Sequence, residues 1–154
     1  MWLGDTSEVA RYFTLPDAEA LLPEIEKLLN KLIEFKQEIE RVEGAMGRIQ
    51  QKITVTGGMI PPRAEIRSLQ GRKQQAMEGL KSVVDAILET GCLLKDVDSG
   101  LVDFPTLYLG KEVYLCWKLG EQGIRFWHHV EDGFRGRQPI DSEFLQNHRG
   151  DLSH

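Results

Sequence analysis

The chain is short of several things, and each shortage closes off a class of protein. Two cysteines, Cys92 and Cys116, stand in 154 residues. That is too few for the disulfide framework of a small secreted domain, and neither sits in a CxxC or other metal spacing, so we expect two buried thiols. No apolar run approaches the roughly 20 residues that cross a bilayer. The opening MWLGDTSEVARYF lacks the basic and apolar regions of a secretory leader, which leads us to expect a cytoplasmic protein with no membrane partner. Motifs that carry chemistry on their own are missing too: there is no HExxH, no P-loop and no strand-GxGxxG-helix. A net charge of -5 argues against a general nucleic-acid binder.

What is present is the composition of a globular protein, 41% hydrophobic and 28% charged, in a chain long enough for one real core. Thr14 before LPDAEALLPEIEKLL is a good helix N-cap, with Asp17 three residues on and Pro16 in the first turn. Pro23 is expected to kink or divide this helix, because its ring removes the bond to Glu19. After it, Ile25, Leu28, Leu32, Phe35, Ile39, Val42, Met46, Ile49 and Ile53 alternate steps of three and four, the seam of a coiled coil. TVTGGMIPP, from Thr54 to Pro62, breaks the helix, with Gly57 and Gly58 free to take positive φ. The seam resumes at Ile66, Leu69, Lys73, Ala76, Leu80, Val83 and Ile87 until Gly91 stops it. A short loop between two such helices implies an antiparallel hairpin. Lys73 is a polar interruption of the second seam, a register device or a snorkelling stem.

From Cys92 the period changes to two. Leu101–Leu109 and Glu112–Leu119 flank Gly110-Lys111, a pair suited to a II′ turn, which would set Phe104 opposite Trp117 and Asp103 opposite Lys118. One face then carries Val102, Phe104, Tyr108, Val113, Leu115, Trp117 and Leu119, and the other carries Asp103, Pro105, Leu107, Tyr114, Cys116 and Lys118. We assign the first face to the core. A third strand from Ile124 to Val130, pairing Leu119 with Ile124, would put His128 beside Leu115 on that core face and send Trp127 and His129 to the other. Glu131–Arg137 reads as a Gly-rich loop, and residues 141–154 as a loosely attached polar tail.

Several blocks in fixed order, Tyr12-Phe13-Thr14, Leu21-Leu22-Pro23, GLVDFP at Gly100–Pro105, VYLCW at Val113–Trp117, Gly120-Glu121, FWH at Phe126–His128, and Gly133, Gly136 and Arg137, resemble the bacterial family catalogued as domain of unknown function 2203. The resemblance spans nearly the whole chain up to Ile140. It carries no activity with it. It implies that Asp103, Glu121, His128 and Arg137 fall inside the shared blocks, whereas His129 and the inter-helix loop do not.

Four constellations follow. His128, Glu121 and Asp103, with His129 as a further candidate, are ligand types for a divalent metal such as zinc, iron or manganese. The alternative is a core His128 hydrogen-bonded to a carbonyl or carboxylate. Cys116 near His129 would be a thiolate-imidazole pair, though a strand-interior cysteine is more often a packed hydrophobe. DGFRGR, with Gly133, Gly136, Arg135 and Arg137, suits an anion, unless Arg137 pairs internally with Asp103 or Glu121. Finally, Arg48, Lys52, Arg63, Arg67, Arg72 and Lys73 face a single acid, Glu65, between Gly47 and Gln75, a local +5 that leaves the remainder at -10. Such a basic tip would contact RNA phosphate or another anionic partner, or be a solvated coiled-coil end.

The reading is an α+β protein: a long antiparallel helical (coiled-coil) hairpin over about residues 15–90, with a small three- to four-stranded antiparallel sheet and Gly-rich loop over about 91–140 packed on its base, as one domain over residues 1–140. The function expected is a self-associating binding or scaffold module, a homo-oligomer with a polar pocket around Asp103, Glu121, His128 and Arg137 for a small-molecule ligand of unknown kind. A metal-dependent, hydrolase-like enzyme using that pocket is the alternative.

Overall fold

The computed structural model describes residues 11–57 and 60–151. Readings made of the first ten residues, of Gly58 and of the last three residues lie outside them. The elements in chain order are α1 (Leu15–Thr56), α2 (Arg63–Glu89), β1 (Leu93–Asp96), β2 (Leu101–Tyr108), β3 (Lys111–Lys118), β4 (Phe126–His129), a 3-10 turn (Phe134–Gly136), β5 (Gln138–Pro139), α3 (Ser142–Asn147) and β6 (His148–Arg149). This is the α+β class expected, a helical hairpin with an antiparallel sheet, and the sheet has six strands rather than three or four. Among the described residues no helix is long and apolar enough to cross a membrane.

The described chain divides into two compact units. One is Asn30–Val84; the other takes in the described residues up to Leu29 and from Asp85 onward.

In the Asn30–Val84 unit the seam is as expected. Leu32, Val42 and Ile49 of α1 and Leu69, Ala76 and Val83 of α2 are buried, and Ala45, Met46, Ile53 and Ile66 are partly buried around Val42, Ile49 and Leu69. Large meets small at one point: the Phe35 ring lies so close to Gly79 that a Cβ there would come within 2.4 Å of it. Lys73, the polar interruption, is half-buried and sends its Nζ to Glu43 at 3.3 Å. Its stem covers the seam while its head reaches a carboxylate at the edge.

In the other unit, Thr14 caps α1 as expected, its Oγ1 accepting from the Asp17 amide at 3.2 Å. Pro23 does not divide the helix: α1 is continuous through it. One missing donor to the Glu19 carbonyl costs less than the packing of Ile25 and Leu29, both fully buried, would lose if the helix broke there.

The sheet order is β1-β2-β3-β4-β5, with β6 also pairing β2. Two registers differ from those expected. In β2-β3 the turn residues are Leu109 and Gly110, not Gly110 and Lys111, so Tyr108 pairs with Lys111, Phe104 with Leu115 and Asp103 with Cys116. Both turn residues have positive φ, 53° and 78°, the I′ conformation that matches strand twist. This is a slip of two, so each side chain keeps the face assigned to it. The β3-β4 register is a slip of one, and it reverses β4. Tyr114 pairs with His128 and Leu115 with Trp127, so His128 joins Asp103 and Cys116, while Trp127 and His129 join Val113 and Leu115. The cause is the connection. Strand pairing begins at Phe126 rather than Ile124, because Glu19 and Glu121 hold the loop open: the Ile124 amide donates to Glu19 at 3.3 Å, and the Lys118 amide donates to Glu121 at 2.8 Å.

Residues 141–151 are not a loose tail. Asp141 caps α3, accepting from the Phe144 amide at 2.8 Å, and Phe144 is buried, stacked on Tyr108, Trp127 and His148. Beyond it the Asp151 amide donates to the Tyr12 carbonyl at 3.0 Å, and Gly150 lies where a Cβ would meet the backbone of Phe13 and Thr14. One aromatic and one glycine tie down a segment whose average polarity suggested a tail.

Candidate functional site

The face opposite α3 is where the polar residues gather. Asp103 and Cys116 are direct cross-strand partners on β2 and β3, and His128 comes from β4 next to them. All three are at most 2% exposed. Three adjacent strands, each contributing one side chain to the same face, hold this group more rigidly than loops would.

The ring of His128 is bonded at both nitrogens. Nδ1 lies 2.7 Å from the His129 carbonyl, and Nε2 lies 3.1 Å from both carboxylate oxygens of Asp103. A carbonyl and a carboxylate only accept, so both nitrogens carry protons, and the pair is an imidazolium against a carboxylate. Burial by itself lowers the pKa of the ring. The bonds to Asp103, Cys116 and the His129 carbonyl, and the charge of Asp103, outweigh it and raise the pKa to about 10. His148 makes the contrast: its Nδ1 donates to the Leu145 carbonyl at 2.9 Å while its Nε2 accepts from the Leu15 amide at 3.0 Å, so one proton suffices.

Glu121 and Arg137 form a second pair, with Nη2 to Oε1 at 2.7 Å. Burial pushes the Glu121 carboxyl up, but the guanidinium and the Lys118 amide more than reverse this and hold it below the usual range. The guanidinium lies between two rings, 4.2 Å from the Phe126 centroid and 4.6 Å from that of Phe134, and it also donates to the Cys116 carbonyl at 3.4 Å. Of the two readings of this loop, an anion site or an internal pairing of Arg137, the structure shows the pairing, with Glu121.

A third carboxylate, Glu112, accepts from the Tyr12 hydroxyl at 3.0 Å. Tyr114, edge-on to His128, is raised to about 12, first by burial and then by the Glu112 charge.

The four pocket residues expected from the sequence thus come together as two pairs, Asp103 with His128 and Glu121 with Arg137, joined through Cys116. Its backbone carbonyl takes Arg137, and its side chain lies with Asp103 and His128. The candidate metal trio is altered accordingly. Asp103, Cys116 and His128 place ligand atoms within 4.8 Å of one another, and Glu121 is engaged by Arg137 instead. Cys116 and His129 do not pair, as the reading of a packed strand-interior cysteine has it: His129 points to the other face against Trp127. Cys116 as partner of His128 was missed because the one-residue slip in β4 separates them on paper. The bulky, well-paired Trp127 was the signal, since it suits the face carrying Leu115 and Tyr108. Both cysteines are free and buried, and burial raises the Cys92 thiol to about 11 despite its bonds with Thr90.

In the Asn30–Val84 unit the basic residues separate into two kinds. Arg72 is taken by Glu38, with bonds of 2.9 and 3.2 Å, while Arg48, Lys52, Arg63 and Arg67 are exposed.

Residues 11–140 match the family described as Uncharacterized conserved protein (DUF2203), and the chain belongs to that family. No curated protein and no solved structure matches it.

Proposed function

We propose that this member of the DUF2203 family is a binding module whose sheet holds a ligand on its polar face, rather than a catalyst working through a thiol-imidazole relay. The observation that carries this reading is the geometry at His128. A relay needs the nucleophile and the orienting carboxylate on opposite ring nitrogens. Here the carboxylate occupies Nε2, the backbone occupies Nδ1, and Cys116 lies with the carboxylate. Each ring nitrogen already faces an acceptor, so neither is free to serve as the base for the Cys116 thiol that also bonds the ring. The neighbouring charges are likewise paired with each other, Glu121 with Arg137 and Glu112 with Tyr12, an arrangement that holds groups in place.

Native mass spectrometry of untagged protein tests the proposal. A stoichiometric adduct in the wild type, lost together in Asp103→Asn and His128→Gln while both variants keep the wild-type circular dichroism, is the expected result. Turnover of ester, amide or phosphate substrates abolished by Cys116→Ser would overturn it.

Self-association belongs to the same reading, in a cytoplasmic setting that suits two free thiols. The exposed Arg48, Lys52, Arg63 and Arg67 carry positive charge in a chain whose remaining residues are acidic, so two copies are complementary. Light scattering at micromolar protein should show an oligomer that weakens with salt. A monomer at low and high salt would rule it out. RNA is the competing partner for the same four side chains, and binding of a short single strand by the wild type with loss in Arg63→Ala/Arg67→Ala would favour it.

A further inference from the structure

We propose that Asp103, Cys116 and His128 form a site for one divalent cation of the zinc class; this rests on the reading above that the polar face of the sheet holds a ligand. Three observations carry it. The donor atoms, a carboxylate oxygen, a thiol sulfur and an imidazole nitrogen, lie within 4.8 Å of one another. Tetrahedral zinc with such donors, at bonds of about 2.0–2.3 Å, spaces them about 3.3–3.6 Å apart. The Asp103–His128 edge, at 3.1 Å, is already close to that spacing. His128 is already oriented as a metal-bound histidine is: Nδ1 is fixed on the His129 carbonyl at 2.7 Å and Nε2 is turned toward the two other donors. The backbone beneath is fixed as well, since Asp103 and Cys116 are direct strand partners and the Cys116 carbonyl is held by Arg137.

The chemistry of the set selects the ion. A sulfur donor disfavours magnesium and calcium, and a group buried to 2% exposure or less does not suit the several waters that magnesium retains. Binding releases the Nε2 proton of His128 and the Cys116 thiol proton to solvent, and one carboxylate and one thiolate then balance the dication, so the filled site is neutral, as a buried site must be. Three protein ligands leave one position of the tetrahedron for a further donor, a water or a ligand atom, unlike a closed structural zinc. Glu121 has no part in it, because Arg137 and the Lys118 amide hold its carboxylate.

The test is titration of the untagged, metal-stripped full chain with Co2+, then with Zn2+. One equivalent of Co2+ should bind and give an intense near-ultraviolet thiolate-to-cobalt band, which Zn2+ displaces and Mg2+ does not. Cys116→Ser should abolish the band, Cys92→Ser should leave it unchanged, and Asp103→Asn and His128→Gln, which remove direct ligands, should each weaken binding by at least the roughly 10–100-fold that loss of an outer-shell partner costs. A wild type that gives no band, or a band that survives Cys116→Ser, overturns the site. Because the wild type itself decides, a variant that fails to fold does not protect the proposal. A wild type that takes up no metal yet carries another adduct lost in Asp103→Asn and His128→Gln overturns the metal while leaving the binding reading intact; no adduct of any kind overturns both.

Discussion

The two units of the molecule handle charge in opposite ways. In Asn30–Val84 the ion pairs are exposed: Arg72 and Arg41 meet Glu38, and Lys73 meets Glu43, all at the rim of a seam that is apolar except for Lys73. In the sheet unit the pair Asp103-His128 is sealed at 2% side-chain exposure, and Glu121-Arg137 is mostly covered. An exposed pair trades one solvated state for another and contributes little. A buried pair has already lost its water, so removing one partner strands the other. Such a pair in this location is a cost that the sheet would be better without, unless the groups are there for a ligand.

Breaking the contrast is straightforward, and the largest effect should come from the buried side. Asp103→Ala leaves an imidazolium in a dry interior and should lower stability by about 3–5 kcal/mol, read from urea midpoints. A loss below about 1 kcal/mol would mean that water reaches the site.

Next come the packing changes in the seam. Phe35→Ala should cost about 2–4 kcal/mol. Gly79→Ala, which drives a methyl into the same ring, should cost about 1–3 kcal/mol, and the double variant should recover part of that second loss. Additive melting shifts would show that the ring and the glycine do not meet.

The pH dependence sharpens the comparison further. The folded pKa of His128 is raised, to about 10, above the ordinary 6.5 of an unfolded chain. Its contribution is therefore complete below pH 6.5 and is lost as pH rises from there through about 10. In metal-stripped protein, urea midpoints should fall across that window, and His128→Gln should remove the part of the slope that the wild type shows between pH 6.5 and 10. Identical slopes in the two would place the proton elsewhere.

Smaller effects are expected at the surface. Leu109 holds φ at 53° in a two-residue turn while 69% exposed, a conformation that costs a leucine roughly 1–2 kcal/mol. Leu109→Asn should raise the melting temperature, as Asn-Gly is the preferred pair for this turn. Glu38→Ala, at the other extreme, should leave it within error at physiological salt, although the guanidinium of Arg72 holds that carboxyl below its usual range.

The helices were legible in the sequence because their signal is repeated. A step of three and four sustained from Ile25 to Ile53 and again from Ile66 to Ile87 averages over many residues, so neither Pro23 nor Lys73 could hide it. The α+β class, the cap at Thr14, the partition of β2 and β3 into two faces and the list of polar residues worth watching were all determined by local pattern. Only the tertiary structure decided which of those residues meet. A strand has period two, so one residue in the 119–125 connection reverses every side chain of β4, and that residue is set by Glu19, about a hundred positions away in sequence, holding the Ile124 amide. The same non-local control put Cys116 beside His128, gave Arg137 to Glu121, and docked Phe144 between Tyr108 and Trp127. Periodicity records what a segment does for itself; register and partnership are settled by contacts from elsewhere in the chain.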